Sequence, residues 1–268
     1  MLLFNKKCPN CQTYHDATLE QCPECHKDNE LYAKRDVSTQ IVFLHPYAQA
    51  GLFLGGFAYV GMLICGLFWS LLFSGVGDEL LRKTLVLFFT YLLMSGGLLT
   101  IPLLTRRKTF LNKFTRPSDY AFGAAYAGLA VLAGMVVGMF VSIFHGGDQI
   151  NGNQEVANNM IKIYPILACF MLALFGPICE EMTYRVGLYS FFRRINKYLA
   201  FVVTCIIFTL IHIDFDSADI VTELWSIPTY LTCGFILTLA YEHRGPACSI
   251  TAHSLYNLTA FLAILMRK

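Results

Sequence analysis

From about Tyr47 to its end the chain is a succession of apolar stretches with almost no charge inside them. Crossing about 30 Å of hydrocarbon at 1.5 Å per residue takes about twenty apolar residues. Seven stretches invite that reading: roughly 49–73, 84–104, 120–144, 161–191, 199–213, 224–241 and 247–266. The fourth is long and contains Pro165 and Gly176-Pro177, which predicts a bend, and the fifth is short. Composition agrees: 56% of the 268 residues are hydrophobic and 14% charged, whereas a soluble domain carries about 25% charged residues. A net charge of +2 gives no ground for a nucleic-acid partner. The expected class is an all-α polytopic membrane protein of about seven transmembrane helices, with the lipid bilayer as its first partner.

The first forty residues differ. They hold Cys8-Pro-Asn-Cys11 and, ten residues on, Cys22-Pro-Glu-Cys25. Two C-P-x-C turns bring four thiolates toward the corners of a tetrahedron, the arrangement a structural zinc favours. So short a stretch buries too little apolar surface to fold alone, and a metal supplies the missing stability. Two disulfides and a mononuclear iron site are the alternatives. The expected organisation is a zinc ribbon over 1–35, a linker over 36–48 and a transmembrane domain over 49–268. The ribbon's role is structural or the recruitment of a protein partner, since four cysteines leave no open position for catalysis.

Loop charges orient the spans. Arg106, Arg107, Lys108, Lys113 and Arg116 follow the second segment, Arg193, Arg194 and Lys197 the fourth, and Arg244 the sixth. The alternate loops carry Asp148 and Glu155, then Asp214, Asp216, Asp219 and Glu223. Positive-inside logic puts the N-terminus in the cytoplasm and the C-terminus outside a multi-pass cell-membrane protein. A reducing compartment around the head favours metal over disulfide.

Six polar groups stand where lipid excludes them: Glu180, Glu181 and Arg185 in the fourth segment, His212 in the fifth, and His253 and Asn257 in the seventh. Each costs a few kcal/mol at mid-bilayer unless paired or facing a cavity, so six in three segments point to one shared site. Glu181 and Arg185 are four apart, as are Phe208 and His212, and His253 and Asn257, so each pair shares a helix face. Glu180 projects about 100° from Glu181 and can address a different partner. Counted at 1.5 Å per residue, Glu180 lies about 17 Å deep, His212 about 20 Å, and His253 and Asn257 about 9–15 Å. Such a set suits hydrolysis. Glu180 beside His212 can deprotonate a water, and His253 with Asn257 can stabilise an oxyanion. A metal held by Glu180, His212 and His253, or a transport site without chemistry, is an alternative reading of the same residues.

In order, the residues read Glu180-Glu181-Met182-Thr183-Tyr184-Arg185, Phe208-Thr209-Leu210-Ile211-His212 and His253-Ser254-Leu255-Tyr256-Asn257. They resemble the EExxxR, FxxxH and HxxxN motifs of the CAAX protease and bacteriocin-processing (Abi) family, over about 161–266. The ribbon resembles modules on some bacterial members. The resemblance implies an intramembrane endopeptidase acting on a membrane-associated peptide or protein. Glu180 with His212 would activate water, His253 with Asn257 would form the oxyanion hole, and Glu181 with Arg185 would shape the site. Family members have been described both as metal-dependent and as glutamate-dependent. Tyr184, where the family often has Phe, is a departure outside the catalytic positions. A peptide-binding immunity factor or transporter, or a scaffold recruiting a partner through the ribbon, are the competing functions.

Overall fold

The computed structural model describes residues 5–16, 21–27, 41–57, 60–145 and 151–267. Parts of the head (1–4, 17–20 and 28–35), residues 36–40 of the linker stretch, and Asp148 lie outside the described residues. In the head, β1 (Asn5–Lys7) pairs antiparallel with β2 (Tyr14–Asp16). The body is helical: α1 (Pro46–Phe57), α2 (Val60–Leu72), α3 (Glu79–Asn112), α4 (Pro117–His145), α5 (Gly152–Ile163), α6 (Pro165–Arg193), α7 (Lys197–Leu210), α8 (Ile220–Trp225), α9 (Ile227–Arg244) and α10 (Pro246–Met266).

Five helical stretches are long and apolar enough to cross a membrane: α3, α4, α6, α8 with α9, and α10. The protein is therefore a polytopic membrane protein. Among the described residues the first expected segment is helical over α1 and α2, and the fifth, α7, has 14 residues. At 1.5 Å per residue α7 covers about 21 Å, short of the hydrocarbon thickness. The fourth starts later than expected, because Tyr164 leaves helical geometry (φ −124°, ψ 59°) before Pro165, and the preceding residues form the separate α5. In α3, Arg106 breaks the helix (φ −147°, ψ 45°), so the basic residues that follow leave the line of the span.

Residues 41–44, inside the stretch read as a linker, are packed into the bundle. Ile41, Phe43 and Leu44 are buried, and each such side chain contributes about 1.5–3 kcal/mol by leaving water. The Ser190 and Tyr241 hydroxyls donate to the Ile41 carbonyl at 3.1 and 2.9 Å, and Arg194 donates to the Leu44 carbonyl. Phe43 stacks on Phe110 with ring centroids 6.0 Å apart. The chain between head and body is thus clamped to α6 and α9, the helices around the candidate site.

α6 is the axis of the body. Its stretch Glu181–Tyr189 is π-helical and every residue of it is buried, so it has no lipid-facing side. α1 lies against it at glycine contacts. A Cβ at Gly56 would meet the Thr183 hydroxyl at 1.8 Å, and one at Gly187 would meet the Phe53 backbone nitrogen at 2.9 Å. Gly56→Val is expected to destabilise the protein by about 1–3 kcal/mol through overpacking. Gly51→Ala, with nothing within 4 Å of the new Cβ, should be neutral or mildly stabilising. Thermal unfolding in detergent compares the two.

Candidate active site

The site begins with a backbone irregularity in α6. Met171–Phe175 is a π turn, in which Gly176 N–H bonds to the Met171 carbonyl five residues back. A side chain at position 176 would press that carbonyl at 2.9 Å, so the turn asks for glycine. The next donor in this register would be residue 177, a proline without N–H, which leaves the Leu172 carbonyl without a backbone partner. Asn257 of α10 fills that vacancy, donating from Nδ2 to Leu172 O at 2.8 Å. The Gly-Pro pair that predicted a bend therefore makes the contact that sets α10 against α6.

One turn further on stand the two carboxylates, and they face different partners. Glu181 and Arg185 are completely buried, with Arg185 Nη1 donating to Glu181 Oε1 at 2.8 Å. Arg185 Nη2 donates to the Gly234 carbonyl of α9 at 3.2 Å, and the guanidinium lies 4.4 Å from the centroid of the Phe208 ring. Ion pair, carbonyl and ring face together offset the cost of taking an arginine out of water. His253 Nδ1 is 2.9 Å from the same Glu181 Oε1. Because a carboxylate accepts, this contact puts a proton on Nδ1 and turns Nε2 toward Glu180.

Glu180 Oε2 lies 3.8 Å from His253 Nε2 and 3.9 Å from His212 Nε2. It is buried without a hydrogen-bond partner. His212 Nδ1 is 2.7 Å from the Phe208 carbonyl, which can only accept, so the proton sits on Nδ1 and the neutral ring presents a lone pair at Nε2. Two imidazole nitrogens and one carboxylate oxygen thus converge with gaps too long for direct hydrogen bonds and suited to a bridging water.

Five of the six residues singled out in the sequence meet in this cluster, with His253 as the link between the two carboxylates, while Asn257, four positions on in α10, is held on the Leu172 carbonyl. Three participants were not legible from sequence: the Leu172 and Gly234 carbonyls, and Tyr230, whose ring stacks on His212 at 4.6 Å and 26°. Backbone acceptors leave no signature in a sequence. For Tyr230 the only signal was a tyrosine one turn into a span that begins next to an acidic loop.

In the head the four Sγ atoms of Cys8, Cys11, Cys22 and Cys25 all lie within 4.8 Å of one another. Cys8 and Cys25 are 3.7 Å apart, and Cys11 and Cys22 3.5 Å. These are not disulfide distances, which are about 2.05 Å. They approach the roughly 3.8 Å edge of a tetrahedron with 2.3 Å metal–sulfur bonds. The two turns share one geometry. Gln12 and His26, each following the second cysteine, have φ of 64° and 53°, and their N–H groups bond back to the Cys8 and Cys22 carbonyls. A side-chain hydrogen bond with Thr13, reinforced by the Thr13 backbone, holds the Cys11 thiol down to about 6, toward the thiolate a metal binds. The set fits a metal ion.

Fold and cluster define a class: a membrane protein whose spans enclose a carboxylate–histidine–asparagine site. Residues 162–259 match the family described as Type II CAAX prenyl endopeptidase Rce1-like. The membrane-embedded CAAX protease MroQ of Staphylococcus aureus is 30% identical over 178 residues, 62% of this chain and 68% of MroQ. The UPF0177 protein YvdC of Lactococcus lactis is 27% identical over 157 residues, 58% of this chain and 56% of YvdC. Another Lactococcus lactis protein, YbdI, is 28% identical over 140 residues, 49% of this chain and 71% of its own length. The aligned part thus spans little more than half of YvdC. No solved structure matches. The chain belongs to the CAAX protease family.

Arg185→Ala would leave the Glu181 carboxylate buried without its cation. It is expected to cost roughly 3–5 kcal/mol, read as a lowered unfolding midpoint in detergent. Lys83→Ala breaks the exposed Lys83–Glu79 pair, also 2.8 Å long, and should change stability by under about 0.5 kcal/mol. Equal shifts in the two variants would contradict the role given to burial.

Proposed function

We propose that the chain is an intramembrane endopeptidase that hydrolyses a peptide bond of a membrane-associated peptide or protein. The observation that carries this reading is Glu180 Oε2, buried, unpartnered and flanked at 3.8 and 3.9 Å by two imidazole nitrogens. A water held there gives one hydrogen to Glu180 and the other to the His212 Nε2 lone pair. Its oxygen attacks the scissile carbonyl carbon, Glu180 takes the proton, and the same carboxyl returns it to the leaving amine nitrogen. The carbonyl oxygen gathers charge as the tetrahedral intermediate forms. Asn257 has one Nδ2 hydrogen on Leu172 and a second to offer that oxygen, and His253 can donate from Nε2 when its ring carries both protons. Glu181 and Arg185 hold His253 in place.

A metal held by Glu180, His212 and His253 is the competing mechanism. Among the described residues only the four cysteines form a set of three or more ligating groups close enough to hold an ion. In the metal-dependent reading Glu180, His212 and His253 would hold the ion, which would supply Lewis-acid activation of the water, and the steps above concern the side chains alone. The charge at the two ends of the bundle supports a cytoplasmic N-terminus and an outer C-terminus. Arg193, Lys197 and Glu242 gather at one end, near the clamped residues 41–44, while Asp214, Asp219 and Glu223 gather at the other. In the organisation proposed, a head over 1–35 recruits or steadies a partner and a body from residue 49 carries the catalysis.

Peptides from membranes carrying the wild type, Glu180→Ala or His212→Ala are to be compared by mass spectrometry. Fragments seen with the wild type should vanish in both variants, while each variant stays folded and in the membrane. Fragments that persist in both would overturn the mechanism, and no fragment in any sample would favour peptide binding without cleavage. For the head, elemental analysis should find one zinc per chain, lost in the Cys8→Ser/Cys22→Ser double variant. Iron in its place would correct the metal, and neither element would remove it.

A further inference from the structure

His212 is the least supported member of the cluster by its own backbone. α7 ends at Leu210, and the main chain of His212 is held by a single turn bond, N–H to the Thr209 carbonyl at 3.0 Å. A ring beyond a helix end samples several rotamers unless packing removes them. The Nδ1 contact with the Phe208 carbonyl at 2.7 Å ties one edge of the ring, and packing confines its faces from both sides. The Phe208 ring lies 4.7 Å from the imidazole at 47°, and the Tyr230 ring lies 4.6 Å away at 26°, close to parallel.

Phe208 is already committed, because it also carries the Arg185 guanidinium on its face. Tyr230 is free of that duty and is tethered elsewhere. Its hydroxyl accepts from Asn151 Nδ2 at 3.1 Å and from Asn153 Nδ2 at 3.3 Å. The Asn151 amide is fixed at its other end, where Oδ1 caps α5 by accepting from Gln154 N–H at 2.8 Å. The same helix start is bound to the His212 loop by a buried carboxylate. Glu223 accepts from Gly152 N–H at 2.8 Å and from Asp214 N–H at 3.2 Å. The start of α5, the first turn of α9 and the chain after α7 thus form one frame, and Tyr230 is its aromatic face on His212.

We propose that Tyr230 is the positioning residue of His212: its ring presses the imidazole against Phe208, and its hydroxyl, tied to Asn151 and Asn153, fixes where that ring stands. The proposal rests on the reading of His212 as a partner of the activated water. Positioning matters at this point because a water bridging the 3.9 Å between His212 Nε2 and Glu180 Oε2 must meet both, and a displacement of about 1 Å at a reacting centre costs about 100-fold in rate. Tyr230 touches neither water nor substrate in this account.

The test uses the full chain in lipid nanodiscs with isotope-labelled histidine. His212 signals are assigned by their loss in His212→Gln. Tyr230→Leu should remove the ring-current shift of the His212 protons and broaden them, while Tyr230→Phe, which keeps the ring, should retain most of the shift. On a cleaved peptide, Tyr230→Leu should lower kcat about 10- to 100-fold with KM changed less than about twofold. Tyr230→Phe should recover kcat to within about fivefold of the wild type. If Tyr230→Leu does not fold, Asn151→Ala/Asn153→Ala replaces it, with a smaller displacement of the same signals expected. Unaltered His212 signals in the folded variant overturn the proposal whatever the activity. Displaced signals in a protein whose wild type cleaves nothing would defeat the endopeptidase reading and leave the positioning role standing.

Discussion

The ion pair between Glu181 and Arg185, both fully enclosed, is the constraint around which the body is arranged. Two charges without water are tolerated only when geometry and neighbours repay their desolvation, and here the neighbours come from three helices. α9 supplies the Gly234 carbonyl, α7 the face of Phe208, and α10 the imidazole of His253. The partners gathered around one arginine and one glutamate therefore tie α6, α7, α9 and α10 together. The same bonds select which nitrogen of His253 faces Glu180, so that stability and the orientation of the buried polar groups have one origin.

Adjacent glutamates in one helix do opposite work because of where a 100° turn sends them. Glu181 points into the protein and is satisfied on one oxygen by two partners. Glu180 turns its unpartnered Oε2 to the gap between two imidazoles, whereas the unpartnered Oε2 of Glu181 is enclosed in the protein. An unpaired buried carboxylate oxygen costs stability, and such groups persist where they serve a ligand or a reaction. The π turns in α6 add to this. They bring Gly176-Pro177 into a register that frees the Leu172 carbonyl, and Asn257 meets it. A helix irregularity and a side chain eighty-five positions away are thus parts of one contact.

Much of this was legible in the sequence, and the reasons are physical. Ionisable groups in apolar segments are rare enough that Glu180, Glu181, Arg185, His212, His253 and Asn257 announced themselves. The spacing of four within each pair carried enough geometry to group them. The paired C-P-x-C turns carried theirs, since a proline-set turn fixes where two sulfurs go. Segment existence was likewise legible, but the reach of each was not. The break at Arg106 and the separation of α5 from α6 depend on backbone geometry that hydropathy does not encode. Residues 41–44 read as a linker because four residues are too few for any periodicity, although Ile41, Phe43 and Leu44 prove to be core. Tyr230 stayed hidden as a neighbour of His212 because an aromatic residue in a span is ordinary. Only the ring-to-ring distance separates a clamp from filler.

What would make the site a reaction centre, rather than a polar knot that steadies the bundle, is the water that the proposed mechanism assigns to the gap beside Glu180. That assignment requires direct attack by water, with no covalent bond between protein and substrate. Cleavage of a peptide substrate by the purified protein in ¹⁸O-water containing hydroxylamine tests it most directly. The account predicts a new C-terminal carboxylate carrying ¹⁸O and no hydroxamate. A hydroxamate-terminated fragment would reveal an acyl intermediate on a nucleophile of the protein and would contradict the account.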